Sequence, residues 1–451
     1  MFQTLKSAFK NKEIRNKILI TIALLFVFRL GSWIPVPGII VPDRGAGGGL
    51  AVGNILFELL SAIGGQALAN GALLAIGIAP YINASIITQL LTVAIPKLEQ
   101  WSKQGDDGRK KIERVTRVLT LILAIVQAIG IAVSWYPNSL RPIFGGQDNL
   151  WLVATIVAAI MVAGAMFTMW LGERITELGI GNGMSLLIFI GIVASAGLAL
   201  YANIWHGMIQ GDQETRMQSA WILAMFLGFV VLIFFFIVFI EGAERRIPVV
   251  YAKQVKGNKV YGGQSTHIPI KVNANGVLPI IFATALITFP QILMQLIGAN
   301  AGPETIRVRF LGWWVRWVSP QTRQGSVIYF ILMGLLILAF SYFYAQIQFK
   351  PDEVARNLQQ YGGTITGIRP GKPTADYLGK VSRRLTLFGA IFLMIIATIP
   401  SIIFGMVMPG ETGLINAFSA TGMLIVVSVA LEIRTQLESQ MMMKHYKGFL
   451  K

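Results

Sequence analysis

Ten long apolar stretches constrain the fold of this chain more than any other feature. By residue number they are 18–34, 72–94, 117–136, 151–171, 182–201, 219–240, 276–297, 326–347, 385–404 and 415–434. A helix of about 20 apolar residues crosses the roughly 30 Å hydrocarbon core of a bilayer. Only 13% of the residues are charged, against about 25% in soluble domains. The sequence therefore predicts an all-α polytopic membrane protein with ten spans.

Basic residues are distributed unevenly among the segments that join these spans. Alternate segments, beginning with the N-terminal one and ending with the C-terminal one, hold 30 of the 38 lysines and arginines when Arg117 and Arg434, at the edges of two spans, are counted with them. Cytoplasmic loops of membrane proteins carry such an excess, so we expect both termini in the cytoplasm. One outer loop, 303–323, differs because it has four arginines interleaved with Trp313, Trp314 and Trp317. That pattern is typical of a segment resting at the outer interface.

Two spans begin with the same unusual motif. Residues 77–85 and 276–284 share the pattern Gly-x-x-Pro-x-Ile-x-Ala-(Ser/Thr). Because glycine and proline weaken a helix and free its carbonyl groups, we expect a break in the helical backbone at each copy. The copies lie in the second and seventh spans, so the two halves are predicted to enter the membrane with opposite orientations. Inverted repeats of this kind are typical of transport proteins with a path between the halves.

The centres of the spans offer almost no ionisable groups. Arg29, Glu173, Glu241 and Glu432 all lie toward span ends, whereas carriers of small solutes place such groups near the midplane. An inverted-repeat secondary transporter of a small solute therefore stays open as the alternative interpretation, without a candidate for its charged site.

Catalytic and metal chemistry has no candidate residues in this sequence. There is no cysteine, and the three histidines lie far apart and outside the apolar spans. We find no paired carboxylates, no nucleophile with a base, no metal-ligand spacing and no nucleotide-binding glycine-rich loop near a span. The sequence thus predicts no enzyme, no cofactor and no metal site.

Isoleucines are the candidates for lining a path. Ile82 and Ile86 share one helix face in the second span, and Ile188 and Ile192 do so in the fifth. Ile281 occupies in the second motif the position that Ile82 has in the first. A ring of such side chains around a lumen resists wetting and blocks small ions. Each isoleucine alone is more typical of a lipid or helix contact, and only the repeat favours Ile82 and Ile281.

Three connecting segments are predicted to have structure of their own. Residues 54–70 are moderately apolar but too short to cross the bilayer, which indicates a re-entrant or interfacial segment. In the basic loop 241–272, alternating β-branched and aromatic residues flank Gly257-Asn258, which predicts a pair of strands. The basic loop 348–384 carries seven lysines and arginines, a composition that suits anionic lipid, RNA phosphate or an acidic protein.

Specific motifs along nearly the whole chain resemble the SecY/Sec61-alpha family of protein-conducting channel subunits. They are Ile-Pro-Val-Pro-Gly at 34–38, Pro-Tyr-Ile-Asn-Ala-Ser-Ile-Ile-Thr-Gln-Leu-Leu at 80–91, Gly-Arg-Lys-Lys-Ile at 108–112, Trp-Leu-Gly-Glu-Arg-Ile-Thr-Glu at 170–177, Gly-Ile-Gly-Asn-Gly at 179–183, Gln-Ser-Thr-His-Ile-Pro at 264–269, Lys-Val-Asn at 271–273 and Gly-Ile-Arg-Pro-Gly at 367–371.

The resemblance implies a clamshell of two inverted five-helix halves around a central hourglass pore. Its domains would be 1–17, a cytoplasmic segment; 18–205, spans one to five; 206–434, spans six to ten with the basic loops 241–272 and 348–384; and 435–451, a cytoplasmic tail. The function implied is translocation of unfolded secretory polypeptides across the bacterial plasma membrane and lateral release of membrane helices into it.

The resemblance also assigns roles to individual residues. It implies a pore ring of Ile82, Ile86, Ile188, Ile192, Ile281 and Ile425. It implies that segment 54–70 is a plug, with Ile55, Leu56, Leu59, Leu60, Ile63, Gly64 and Gly65 as its residues. A lateral gate would lie between spans two and three on one side and seven and eight on the other, with polar residues Thr88, Gln127 and Asn273.

Partners follow from the same resemblance. The basic loops would bind the SecA motor ATPase and the ribosome with its nascent chain, through Arg245, Arg246, Lys253, Arg369, Pro370 and Gly371. SecE and SecG would be the small membrane subunits, signal peptides would engage the gate, and anionic lipid would contact the basic loops. The arginine-rich loop 303–323 departs from the family pattern.

Overall fold

The computed structural model is mostly helical and describes the larger part of the chain. The described residues are 9, 11–39, 67–68, 70–135, 150–201, 208–209, 212–251, 254–256, 259–261, 265–274, 276–298, 313–314, 317–318, 323–407 and 420–448. The seven predicted plug residues, Lys253 and most of loop 303–323 lie outside this set.

Ten of the helices in the described residues correspond to the ten predicted spans, except that the second begins only at Ala79 and residues 72–78 are not helical. In chain order the helices are α1 (Lys12–Gly31), α2 (Ala79–Ala94), α3 (Pro96–Lys103), α4 (Asp106–Trp135), α5 (Leu150–Leu178), α6 (Gly183–Leu200), α7 (Gln213–Glu241), α8 (Leu278–Gly298), α9 (Arg323–Gln348), α10 (Pro351–Gln360), α11 (Lys372–Val407) and α12 (Ala420–Gly448). All but the short α3 and α10 correspond to spans. Within the described residues, six helical segments are long and apolar enough to cross a membrane.

Several helices extend past the apolar stretches. Helix α4 begins at Asp106, eleven residues before the predicted span, and α11 begins at Lys372 inside the basic loop 348–384. Helix α12 runs from Ala420 to Gly448, through the predicted boundary at 434–435. Lysine, arginine and glutamate are good helix formers, so the backbone stays helical where the side chains become charged.

The two repeated motifs begin helices instead of breaking them, which corrects our expectation. Gly77 and Gly276 both have φ +59°, a conformation that glycine adopts without steric cost. In the first motif Pro80 lies in the first turn of α2, where its missing N–H removes no helical hydrogen bond. One backbone hydrogen bond is also repeated in the two motifs. The Ile82 N–H donates to Ile78 O at 3.1 Å, and the Ile281 N–H donates to Val277 O at 3.3 Å.

The two basic loops combine into one small sheet. Strands β1 (Glu244–Tyr251) and β4 (Ser265–Lys271) pair antiparallel, and β2 (Gln254–Lys256) pairs with β3 (Lys259–Tyr261). The predicted strand pairing around residues 257–258 is therefore confirmed. The sequence did not indicate β5 (Gly363–Ile365), which comes from loop 348–384 and pairs with β1 to give the order β4-β1-β5.

An apolar core holds this sheet against the helices next to it. Val249 and Ile365 are buried at 0% and 4% exposed, and they pack with Leu358 of α10 and Leu378 of α11. Because one cluster draws on both loops, the sheet and the N-terminal end of α11 form a single packed unit.

We expect Val249→Asp to unfold this unit, because the new carboxylate would be buried without a partner at a cost on the order of 3–5 kcal/mol. Hydrogen exchange of the β1 and β4 amides measures the change. Val250→Asp is the matched control, since Val250 is 42% exposed. Equal protection in the two variants would contradict the role assigned to the core.

Candidate functional site

Five of the six isoleucines predicted to form a ring lie in one apolar cluster. Ile188, Ile192 and Ile425 are buried in it, with 7%, 6% and 5% of their surfaces exposed. Ile82 and Ile281 are partly buried and pack against it. The cluster draws on α2 and α6 from the first half of the chain and on α8 and α12 from the second. The two halves therefore meet at these side chains.

Ile86 behaves differently from the other five. It lies one turn after Ile82 on α2 and is buried at 8% exposed, but it is not a member of that cluster. The structure thus brings together residues as far apart in sequence as Ile82 and Ile425, and leaves Ile86 beside the group.

Helix α6, which carries two of these isoleucines, begins at a closely fitted turn. Asn182 accepts a hydrogen bond from the Met184 N–H at 3.0 Å, and the Gly183 N–H donates to Thr176 Oγ1 at 2.8 Å. A Cβ on Gly183 would lie 2.0 Å from the carbonyl oxygen of Gly172, so only glycine fits between α5 and α6. This turn fixes the position of α6 and of the isoleucines on it.

The three predicted gate residues are all buried. Thr88 on α2, Gln127 on α4 and Asn273 just before α8 are 1%, 4% and 5% exposed. Helix α4 packs against both α2 and α8, so this is a second place where the two halves touch.

Two of these predicted gate residues bury polar side-chain atoms at a cost in stability. Thr88 Oγ1, Gln127 Oε1 and the neighbouring Gln89 Oε1 have no hydrogen-bond partner among the described residues. An unsatisfied buried group destabilises its surroundings by about 1–3 kcal/mol. Burial of these oxygens therefore lowers the stability of the region of α2 and α4 that carries them.

The side-chain amide of Asn273, in contrast, has hydrogen-bond partners. Its Nδ2 donates to Glu241 Oε1 at 2.7 Å and to the Gly276 carbonyl oxygen at 3.3 Å. The same Glu241 oxygen accepts a bond of 3.3 Å from Ser428 Oγ. The sequence predicts only that Glu241 lies near a span end, and it offers no signal for Ser428. Because 187 positions separate these two residues, no local pattern links them.

The described docking candidates lie on the surface of the small sheet and of the turn beside it. Arg245 and Arg246 are exposed on β1, and Arg246 Nε lies 2.7 Å from Glu244 Oε1. Arg369 and Pro370 are exposed, and the Arg369 carbonyl oxygen accepts a hydrogen bond from Thr374 Oγ1 at 2.8 Å. Pairing of β1 with β5 places these two sets on one unit.

No group of three or more histidine, cysteine, aspartate or glutamate side chains able to hold a metal ion occurs among the described residues. The geometry offers an apolar cluster between two halves, a weak polar contact beside it and a basic surface.

Comparison with known families supports the sequence motifs. The SecY family model matches residues 72–434. The chain belongs to the SecY family. Among curated relatives, the protein translocase subunit SecY of Streptomyces galbus is 41% identical, with 100% of both chains covered. The SecY subunits of Bacillus licheniformis and Mycobacterium tuberculosis are 39% and 38% identical over the same full coverage.

Solved structures share the fold. One described as a protein conducting channel has a TM-score of 0.62 at 20% identity, with 94% of this chain and 92% of that chain covered. Sec61 in the canine ribosome-channel complex from the endoplasmic reticulum has a TM-score of 0.57 at 18% identity and the same coverage. The predicted fold of the SecY family, a multi-pass helical membrane protein in two halves, is thereby confirmed.

We expect Gln127→Leu to stabilise the protein by about 1–3 kcal/mol, because it removes a buried unsatisfied oxygen. Thermal unfolding of the purified protein in detergent measures the change as a higher midpoint. Gln104→Leu is the control, since Gln104 is exposed and its loss removes no such penalty. A lower midpoint for the Gln127 variant than for the control would show that the oxygen is satisfied in the membrane protein.

Proposed function

We propose that this chain is the central subunit of a protein-conducting channel in the bacterial plasma membrane. It would translocate unfolded secretory polypeptides across the membrane and release membrane helices laterally into it. The observation that carries the proposal is the isoleucine cluster at which α2, α6, α8 and α12 meet. Membership of a family whose curated relatives are protein translocase subunits supports it.

The apolar character of the ring suits an unfolded chain as cargo. Ile82, Ile188, Ile192, Ile281 and Ile425 offer no hydrogen bonds, so they favour no particular polypeptide sequence as it passes. A narrow apolar constriction also resists wetting and so excludes ions. A polar ring would bind some segments and conduct ions. We propose Ile86 as a sixth contributor, one turn along α2.

Segment 54–70 is proposed as the plug that covers this ring. One solved structure that shares the fold is described as showing that the plug domain of the SecY protein stabilises the closed state and maintains a membrane seal. In the present chain, Ala67 and Leu68 at the end of the segment are buried at 1% and 0% exposed. Their burial supports packing of the segment inside the protein.

The lateral gate is proposed between α2 and α4 on one side and α8 and α9 on the other. The burial of Thr88, Gln127 and Asn273 supports this assignment. The buried oxygens of Thr88 and Gln127, which lack a hydrogen-bond partner among the described residues, lower the stability of the closed arrangement and would help an apolar signal peptide to part the gate.

Docking of partners is proposed on the unit formed by loops 241–272 and 348–384. The charge bias of the loops supports a cytoplasmic position for this unit and for both termini, where the SecA motor, the ribosome and anionic lipid headgroups would be available. A neighbour of this fold is described as an idle yeast Ssh1 complex bound to the 80S ribosome. SecE and SecG are proposed as further subunits, and the energy for transport would come from the partners.

A secondary transporter of a small solute is the alternative, and two observations weigh against it. The family match covers most of the chain. Glu241 is engaged by Asn273 and Ser428, so this carboxylate is not an open charged site for a solute.

The channel proposal is tested by ion conductance of the purified complex in planar bilayers. Deleting Ile55–Leu68 should raise the resting conductance, because the cover of the ring is lost, and adding Ile192→Gly should raise it further. Val193→Gly is the matched control, since Val193 follows Ile192 on α6 but is 42% exposed. If both ring and plug variants leave the bilayer as tight as the control, the assignment of plug and ring fails.

The docking proposal is tested with Arg369→Glu. Reversing this charge should abolish SecA-driven translocation of a secretory precursor into vesicles while the channel complex still assembles, because an acidic partner surface would be repelled. Arg356→Glu, in the same loop but outside the turn, is the comparison. Normal motor-driven transport by the Arg369 variant would remove the role proposed for that residue.

A further inference from the structure

A single carboxylate oxygen joins three helices next to the proposed gate and ring. Glu241 is the last residue of α7. Its Oε1 accepts hydrogen bonds from Asn273 Nδ2 at 2.7 Å and from Ser428 Oγ at 3.3 Å. Asn273 leads into α8, and Ser428 belongs to α12. The oxygen thus connects the end of one helix to the two helices that carry Ile281 and Ile425.

The Asn273 arm holds the start of α8. Besides Glu241, its Nδ2 reaches the carbonyl oxygen of Gly276 at 3.3 Å, and Gly276 has the left-handed φ of +59° that begins the helix. Ile281 follows within the first turns of α8. A movement of Asn273 is therefore transmitted to the side of the ring that α8 contributes.

The hydrogen bond from Ser428 connects Glu241 to α12, the helix that contributes Ile425 to the ring. Ser428 lies three residues after Ile425 on α12, a distance of about 4.5 Å along the helix axis. Both bonds go to the same carboxylate oxygen, but the bond from Ser428, at 3.3 Å, is long for a hydroxyl donor, whereas the bond from Asn273, at 2.7 Å, is short. The α12 arm is thus the weaker of the two.

The same carboxylate lies at the root of the small sheet. Strand β1 begins at Glu244, three residues after Glu241, and β4 ends at Lys271, two residues before Asn273. Glu244 pairs with Lys271 in the sheet, and the Val272 N–H donates to the Ala243 carbonyl oxygen at 3.0 Å. A force on β1 or β4 therefore reaches Glu241 and Asn273 through two or three residues of backbone.

We propose that Glu241 is a positioning residue that couples the β1–β4 sheet to the gate helix α8 and the pore helix α12. In the arrangement seen here it holds both helices in place. When a partner moves the sheet, the weaker Ser428 bond breaks first and frees α12, and loss of the Asn273 bond then frees α8. This inference rests on the proposed channel function, because it assigns α8 and α12 to the gate and ring.

The coupling is tested by measuring the distance between α4 and α8 in vesicles without any transport. The chain has no cysteine, so Ile129→Cys and Leu286→Cys introduce a unique spin-label pair. Both positions are exposed, at 46% and 49%, and neither touches the network. We expect Glu241→Ala to lengthen and broaden the distance distribution, with an about tenfold larger open population, as loss of a hydrogen bond to a charged group implies.

Matched variants separate this role from a general loss of stability. Glu244→Ala removes a carboxylate three residues away whose ion pair with Arg246 is exposed, and it should leave the distances unchanged. Glu241→Gln keeps the size and one acceptor oxygen, so it should lie between the alanine variant and the unaltered protein. Asn273→Ala and Ser428→Ala each remove one donor, and combined with Glu241→Ala they should add no further opening.

The outcomes decide between the proposals. If Glu241→Ala gives the same distances as the Glu244→Ala control, the coupling role is overturned. If the Glu241→Ala protein does not fold, the Asn273→Ala and Ser428→Ala variants decide instead, and distances like those of the control in both of them overturn the role. If the distances change but the ring and plug variants leave the resting conductance unaltered, the coupling stands and the channel proposal fails. If the conductance rises as proposed while the distances stay fixed, the channel proposal stands and the coupling is overturned.

Discussion

The need to satisfy every backbone hydrogen bond inside the bilayer is the constraint on which this structure depends. Helices meet it internally, and the ten long helices of the described residues follow from it. The repeated motifs respect the same constraint, because their glycine and proline lie before or within a first helical turn, where a missing N–H costs nothing. A path through such a protein can run only between helices, and side chains must line it.

Side-chain chemistry then decides how the halves adhere. At the isoleucine cluster the contact between the halves is apolar and buried, which gives a seal without specificity. The buried oxygens of Thr88 on α2 and Gln127 on α4 have no hydrogen-bond partner among the described residues, which lowers the stability of this region. In the proposed channel, the apolar cluster would keep the pore closed. The less stable region with the unsatisfied oxygens would be the place where the channel opens sideways.

The unit formed by the two basic loops is connected directly to α7 and α8. Both basic loops share one sheet and one apolar core, so a partner bound to either loop acts on a single unit. The strands leave this unit directly at Glu241 and Asn273, whose side chains bond to each other. This short connection is the structural basis of the coupling that we propose between the sheet and helices α8 and α12.

The sequence by itself determined the helices, the family and the repeat, because these depend on local hydropathy and on motifs that are contiguous in the chain. It also indicated the strands around residues 257–258, since alternation and turn residues are local signals. It predicted Ile82 and Ile281 from the repeat, and Ile425 only through a family resemblance.

Only the tertiary structure decided which residues that are distant in sequence come into contact. It brought Ile82, Ile188, Ile192, Ile281 and Ile425 into one cluster and left Ile86 beside it. It joined β5 to β1 across more than a hundred positions, and it placed the Glu241 carboxylate against Asn273 and Ser428. These contacts arise from how helices pack after insertion, and no pattern of neighbouring residues records that packing.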